Sequence, residues 1–358
     1  MKKISYLELA SLIIIEVVTM FSGISITILK EGADLNSWLS AFIAYIIGFI
    51  PVILIIYFAN YRTDLKINEK INTLFGKKIG FIFNIILSLY LITIGITLLY
   101  NINNFILSQL LNRTPFIVSC LLLMILIIYN ANKGINVISK TSLILLCLNL
   151  GLFLINIFAL IQHIDITNFM PILKENTQNI LPTSLKIASV KTLPLLTILT
   201  IPKDKITNPK KYNKTIIISY IIAIIISLSL VIVTFGVLGI NLVKTFEYPE
   251  YVVLRKIKLL GFLERIENII SLQWIIGTFV YLTIIVYAIS KSIPLKSKKS
   301  HKYINIIIGI ILTTLTILIF KNNTIYDTYI IKIFPYIISS LFIIYIILFI
   351  KLLLSNKQ

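Results

Sequence analysis

Acidic side chains are scarce in this chain, with 14 Asp and Glu against 33 Lys and Arg in 358 residues. Charged residues make up 13% of it, whereas a soluble globular protein carries about 25%. That is too few to cover a surface facing water. Cysteine and histidine number two each. Cys120 and Cys147 both fall in apolar runs, and His163 and His301 fall in loops far apart, so neither a disulfide framework nor a Cys/His metal site is indicated. Zinc, Walker, glycine-rich nucleotide and nucleophile-elbow motifs are also lacking. The expectation is therefore no catalytic residue, no metal and no cofactor.

What is present is apolar. Hydrophobic residues make up 58% of the chain and the mean hydropathy is +0.97, which reads as a polytopic membrane protein. A helix needs about 20 apolar residues to cross the hydrocarbon. The runs predict ten transmembrane helices, at about 7–29, 38–58, 79–101, 115–131, 141–162, 183–201, 215–240, 262–289, 303–320 and 330–352, forming one transmembrane domain over 1–358. No loop is long enough for a soluble domain, which disfavours an enzyme hung from a membrane anchor. Met1-Lys2-Lys3 ahead of Ile13–Val18 resembles a secretory signal, but no small-x-small cleavage site follows, so it reads as a retained first helix.

The net charge of +19 follows from topology rather than from nucleic-acid binding. Lys and Arg concentrate in alternate loops, at 60–78, 132–140, 203–214 and 291–302, and in both tails. The loops between them hold single cations such as Lys30, Arg113, Lys174 and Lys321. That bias puts the N- and C-termini in the cytoplasm, and an even number of spans agrees. The exception is 241–267, where Glu247, Glu250, Glu264 and Glu267 alternate with cations as helix surface pairs do. Glu247-Tyr248-Pro249 marks a helix start, and the apolar spacing after it predicts an extracytoplasmic amphipathic helix over about 247–260, lying on the outer interface.

Two spans carry breaks. The first is interrupted at Thr19-Met20-Phe21-Ser22-Gly23-Ile24-Ser25, and the sixth holds Ser189, Lys191, Thr192 and Pro194 at membrane depth. Irregular backbone there is tolerated only where protein or a cavity covers it. Interrupted spans in matching positions of two halves point to a transporter-type site, so a five-plus-five inverted repeat is inferred.

Several stretches resemble one family. The strongest runs from Tyr248-Pro249 through Val253-x-Arg255-x-Ile257 and Gly261-Phe262-Leu263-Glu264-Arg265-Ile266-Glu267 into Trp274-Ile275-Ile276-Gly277-x-Phe279-Val280. Pro202-Lys203-Asp204-Lys205 after span six and Ile4-Ser5 before span one are weaker matches. Together they resemble the B subunits of GerA-type spore germinant receptors, the GerAB family of the amino acid/polyamine/organocation permease superfamily. The resemblance implies an all-α, broken-helix (LeuT-like) fold, a bacterial spore inner-membrane location, A-type and C-type receptor subunits as partners, and a small nutrient ligand such as an amino acid. The family often carries Pro-Phe-Gly-Glu in span six; Val190-Lys191-Thr192-Leu193 stands there instead, so the acidic residue is missing and a lysine has appeared.

On that resemblance, an unwound first span would line a small-molecule site with Thr19, Ser22, Gly23 and Ser25, its exposed backbone groups attracting a carboxylate. Small residues that merely let helices approach are the alternative. In span three Tyr90, Thr93 and Thr97 share one helix face, either toward the site or with their hydroxyls bonded back to their own helix. Lys191, Thr192, Gln273 and Thr278 are further candidates. Glu16 and Lys191 are the most expensive residues in the hydrocarbon, at about 2.5–3.5 kcal/mol each when unpaired. Their depths allow an intramembrane charge pair, with outward snorkelling of Lys191 as the alternative. The leading expectation is a transporter-like receptor subunit; an ion-coupled amino-acid permease is the alternative.

Overall fold

The computed structural model describes residues 3–173, 176–255, 267–293 and 298–355. Among these residues the chain is almost entirely helical, with one isolated β-bridge between Ile4 and Ile206. Nine helices there are long and apolar enough to cross a membrane. The remaining predicted span is divided into α8 (Ile180–Thr192) and a 3-10 segment, Leu193–Thr200. At 1.5 and 2.0 Å per residue the two pieces reach about 35 Å, enough for ~30 Å of hydrocarbon.

The first span starts at a reciprocal cap. Ser5 Oγ accepts from the Glu8 amide at 3.1 Å, and the Ser5 amide donates to the Glu8 carboxylate at 2.7 Å, which satisfies two amides that no helical carbonyl can reach. α1 (Tyr6–Thr19) is buried almost all round, as expected of a helix apolar on every face at the centre of a bundle. It packs on α7 (Ile135–Ile161), α9 (Tyr212–Thr245) and α11 (Glu267–Ser292). α11 also contacts α5 (Ile67–Phe105) and α6 (Phe116–Lys133), while α3 (Ser37–Ile47) packs on α8. Outer helices present apolar side chains outward, among them Leu122, Ile125, Ile144 and Phe158. In water such a surface would be an aggregation liability; against lipid it is the required one. α12 (Lys298–Ile319), α13 (Asn323–Lys332) and α14 (Phe334–Ser355) complete the bundle, with α14 against α8.

Both breaks have local causes and satisfied backbone. After α1 the chain makes a π-helical turn, Phe21–Ser25, and resumes as α2, Ile26–Gly32. Gly23 sits at φ +70°, and a Cβ there would lie 2.5 Å from Asn101 Nδ2; only glycine takes that conformation at little cost. Ser25 Oγ donates to the Met20 carbonyl at 2.6 Å, and Thr27 Oγ1 donates to the Gly23 carbonyl at 2.7 Å. In span six Pro194 has no amide to continue the helix. Tyr345 Oη donates to the Leu193 carbonyl at 2.7 Å. These side chains replace the backbone bonds that the breaks remove, as hydrocarbon demands.

The connection from α9 to α11 folds inward. α10 (Pro249–Arg255) buries Glu250, Tyr251, Val253 and Leu254, and Tyr248 just before it is buried too, so the described part of this connection is covered by the bundle rather than lying flat on the interface. The reason is an aromatic cluster: Phe105 meets Tyr248, Tyr251 and Trp274 edge-on, with ring centroids 5.1, 5.2 and 4.4 Å apart. Residues 256–266, including Glu264, lie outside the described residues.

Candidate functional site

Below α10 lies a central cavity of about 720 Å³ of empty space. Among the described residues its wall comes from six helices and one turn. α1 and the turn after it give Ile14, Ile15, Val18, Thr19 and Phe21; α7 gives Leu146, Asn149, Leu150 and Phe153. α9 gives Ile226 and Leu230, and α11 gives Ile270, Gln273, Trp274 and Thr278. Asn101 of α5 and Glu250 of α10 complete it. The wall is mainly apolar and aromatic, with a few convergent polar groups, which is the usual make-up of a small-molecule site. α1 and α11 meet here because Gly277 leaves room for the Thr19 hydroxyl, which would collide with any Cβ.

Glu250 is the charged member of this lining. Its Oε1 accepts from the Gly23 amide at 2.7 Å, and its Oε2 is buried without a hydrogen-bond partner. Burial raises its pKa to about 7, against the opposing pull of the backbone amides of Glu250 and Gly23 and of the Lys30 charge. Lys30 itself donates to the Phe246 carbonyl at 2.7 Å, pinning α2 to the start of this connection. Asn104 Nδ2 donates to Glu247 Oε1 and to Tyr248 Oη, both at 2.6 Å, so α5 holds the same segment from the other side. Polar groups on the wall also hold one another: Gln273 Nε2 donates to the Asn149 carbonyl at 3.0 Å, and Asn156 Nδ2 donates to Gln273 Oε1 at 2.8 Å.

Of the residues predicted from sequence, Thr19, Gln273 and Thr278 line the cavity, and the Gly23 amide reaches it through Glu250. The Ser22 side chain lies outside the described residues. Ser25 serves the break instead, through Met20. Tyr90 shares a hydrogen bond with Ser340 at 2.6 Å and lines a second cavity, about 500 Å³, beside Pro194 and Thr197. Thr93 donates to the Leu89 carbonyl at 3.0 Å, Thr97 to Thr93 at 2.7 Å and Thr192 to Ala188 at 2.6 Å. These three hydroxyls are therefore spent on their own helices.

Glu16 and Lys191 are both buried, but each has its own neutral partner. Thr197 Oγ1 donates to Glu16 Oε2 at 2.6 Å, while Lys191 Nζ donates to Tyr45 Oη. The Lys191 ammonium also lies 4.9 Å from the Phe21 ring centroid and 4.8 Å from that of Tyr45. Ion pairs within 4.0 Å among the described residues are Lys66–Glu69 and Lys244–Asp34; Glu16–Lys191 is not one of them. Lys191 points to aromatic faces rather than snorkelling outward, and of this pair Phe21, not Lys191, lines the cavity that Lys191 was expected to line.

Sequence reasoning missed Glu250, Asn101, Asn149 and Trp274 as cavity residues. Glu250 carried a signal, an acid right after Tyr248-Pro249, but its alternation with cations read as a solvated face.

A model of the spore germination protein family matches residues 3–325. Spore germination protein XB of Bacillus anthracis is 25% identical over 309 residues, covering 85% of this chain and 84% of that one. Spore germination protein A2 of Bacillus subtilis (strain 168) is 28% identical over 252 residues, 69% of this chain and 67% of that one. Spore germination protein KB of the same strain is 24% identical over 222 residues, 62% of this chain and 60% of that one. Among solved structures, a substrate-bound, outward-open Na⁺-coupled sialic acid symporter superposes with a TM-score of 0.65 at 13% identity, over 94% of this chain and 78% of that one. At that identity the likeness speaks for the fold: a LeuT-like transporter architecture.

Proposed function

The chain belongs to the spore germination protein family and is a transporter-like germinant receptor subunit in the spore inner membrane; from that premise we propose that it binds a small nutrient, an amino acid, in the central cavity and passes the signal to A-type and C-type partner subunits. Both termini face the cytoplasm in this reading. The observation that carries it is the Gly23–Glu250 hydrogen bond across the cavity's edge. It ties the broken first span to α10, so a ligand held beside Thr19, Thr278 and Glu250 touches α1, α10 and α11 at once. Its contacts can then differ between two arrangements of these elements, which is what a ligand needs in order to shift a conformational equilibrium.

The test uses Thr278→Leu, which fills cavity space and leaves the Gly23–Glu250 bond alone. Spores carrying it, with normal protein level, should lose the response to amino-acid germinants; an unchanged response overturns the assignment. An ion-coupled permease would instead move labelled amino acid in proteoliposomes containing this chain alone. No such flux is expected of a receptor subunit.

A further inference from the structure

The cavity's electrostatics are one-sided. Among the described residues its lining holds a carboxylate and no lysine, arginine or histidine. Lys30, whose charge acts on Glu250, is committed to the Phe246 carbonyl, and Lys191 to Tyr45. A ligand carboxylate entering the cavity would therefore meet no cation among the described wall residues. It would also find the Gly23 amide, the donor exposed by the broken first span, already taken by Glu250 Oε1 at 2.7 Å. The complementary charge is well provided for. Glu250 is 1% exposed, and its Oε2 accepts from no group. Aromatic rings of Phe21, Phe153 and Trp274 stand on the same wall and can face a cation. The rest of the wall is aliphatic.

The geometry points to Glu250 as the ammonium receptor of the central cavity: its Oε2 takes the charged amine of a small aliphatic ligand, and the ligand needs no carboxylate to bind. This rests on the proposed function only in using the same cavity. A buried carboxylate oxygen left without a donor is costly, and an alkylammonium supplies a charge-assisted one. The alkyl body would lie against Ile15, Leu150, Leu230 and Trp274. Because Oε1 already holds the first span, the ammonium would join that contact to the ligand.

The test compares four probes of one shape on the full-length chain in nanodiscs at pH 8: isobutylamine, L-valine, isobutyrate and isobutanol. Binding is read by Trp fluorescence, Trp274 being on the wall, and by thermal shift. Isobutylamine should bind saturably and at least as tightly as L-valine, with isobutyrate and isobutanol at least tenfold weaker. Glu250→Gln keeps an oxygen for the Gly23 amide, so the fold should hold while isobutylamine affinity falls at least tenfold. A Tyr336→Phe variant, at an exposed tyrosine that does not line the cavity, should bind isobutylamine as the unsubstituted chain does. The proposal is overturned if isobutylamine gives no saturable signal, if L-valine binds and the amine does not, or if Glu250→Gln binds the amine unchanged. Failure of the receptor reading shows separately: Thr278→Leu spores would germinate normally while isobutylamine still bound the purified chain.

Discussion

The Gly23 amide and the Glu250 carboxylate stand 227 positions apart in the chain and 2.7 Å apart in the fold. This bond closes the central cavity and joins the break in the first span to the helix that covers it. It gives Glu250 a structural role that pH can read.

Glu250 has its pKa raised to about 7 by burial, from an ordinary value of 4.5. A carboxyl whose pKa is higher in the folded state favours folding below its unfolded value, and that contribution is lost as pH rises through the folded one. The window is therefore about pH 4.5 to 7. At 1.36 kcal/mol per unit the full change is on the order of 3 kcal/mol. Melting temperatures of the purified chain should fall across this window, and Glu250→Gln should flatten the fall. An identical profile in the variant would remove Glu250 as the cause.

Gly23→Ala should destabilise for two separable reasons. The left-handed conformation costs an alanine roughly 1–2 kcal/mol, and the new Cβ meets Asn101 Nδ2 at 2.5 Å and Oδ1 at 2.9 Å. Adding Asn101→Ala should recover the steric part and leave the backbone part. Thermal melts of the two single variants and the double variant measure both.

Tyr345→Phe removes the hydroxyl that donates to the Leu193 carbonyl at the span-six break. An orphaned buried acceptor costs about 1–3 kcal/mol. The variant should melt lower, whereas Tyr336→Phe, at an exposed tyrosine of the same helix, should be close to neutral. Equal melting of both variants would mean that the break is held by something else.

Double-mutant cycles should find the intramembrane charges coupled to their neutral partners. Glu16→Gln with Thr197→Val, and Lys191→Met with Tyr45→Phe, should each show interaction energies of about 0.5–3 kcal/mol, since the groups touch. Glu16→Gln with Lys191→Met should add to within about 0.5 kcal/mol. A large coupling in this last cycle would restore the charge pair expected from their depths.

Much of the architecture can be read along the chain. Hydrophobic runs of span length are local and need no knowledge of packing. The breaks are legible too, because Gly23 and Pro194 act on their own backbone: one permits a positive φ, the other lacks an amide. Thr93, Thr97 and Thr192 show where such reading divides. Helical spacing puts the first two on one face, but whether a hydroxyl serves a ligand or the carbonyl four residues back depends on what packs against that face. Here all three bond to their own helix.

Charge placement depended on tertiary structure still more. Counting residues from the membrane edges gave Glu16 and Lys191 similar depths, but depth does not fix azimuth. Rotation about the helix axes sends one to Thr197 and the other to Tyr45. Glu250 is the same lesson outside the spans. In sequence it sits between Tyr248-Pro249 and Tyr251, with Lys244 and Arg255 a turn or two away on either side, which suits a wet helix surface. What buries it is Phe105, from a helix more than a hundred residues earlier, gathering Tyr248, Tyr251 and Trp274 and drawing α10 down over the cavity. The sequence by itself determined where the chain is apolar and where its helices break, because hydropathy and backbone conformation are local properties. Only the tertiary structure decided which charge faces the cavity, because that depends on contacts between segments far apart in the chain.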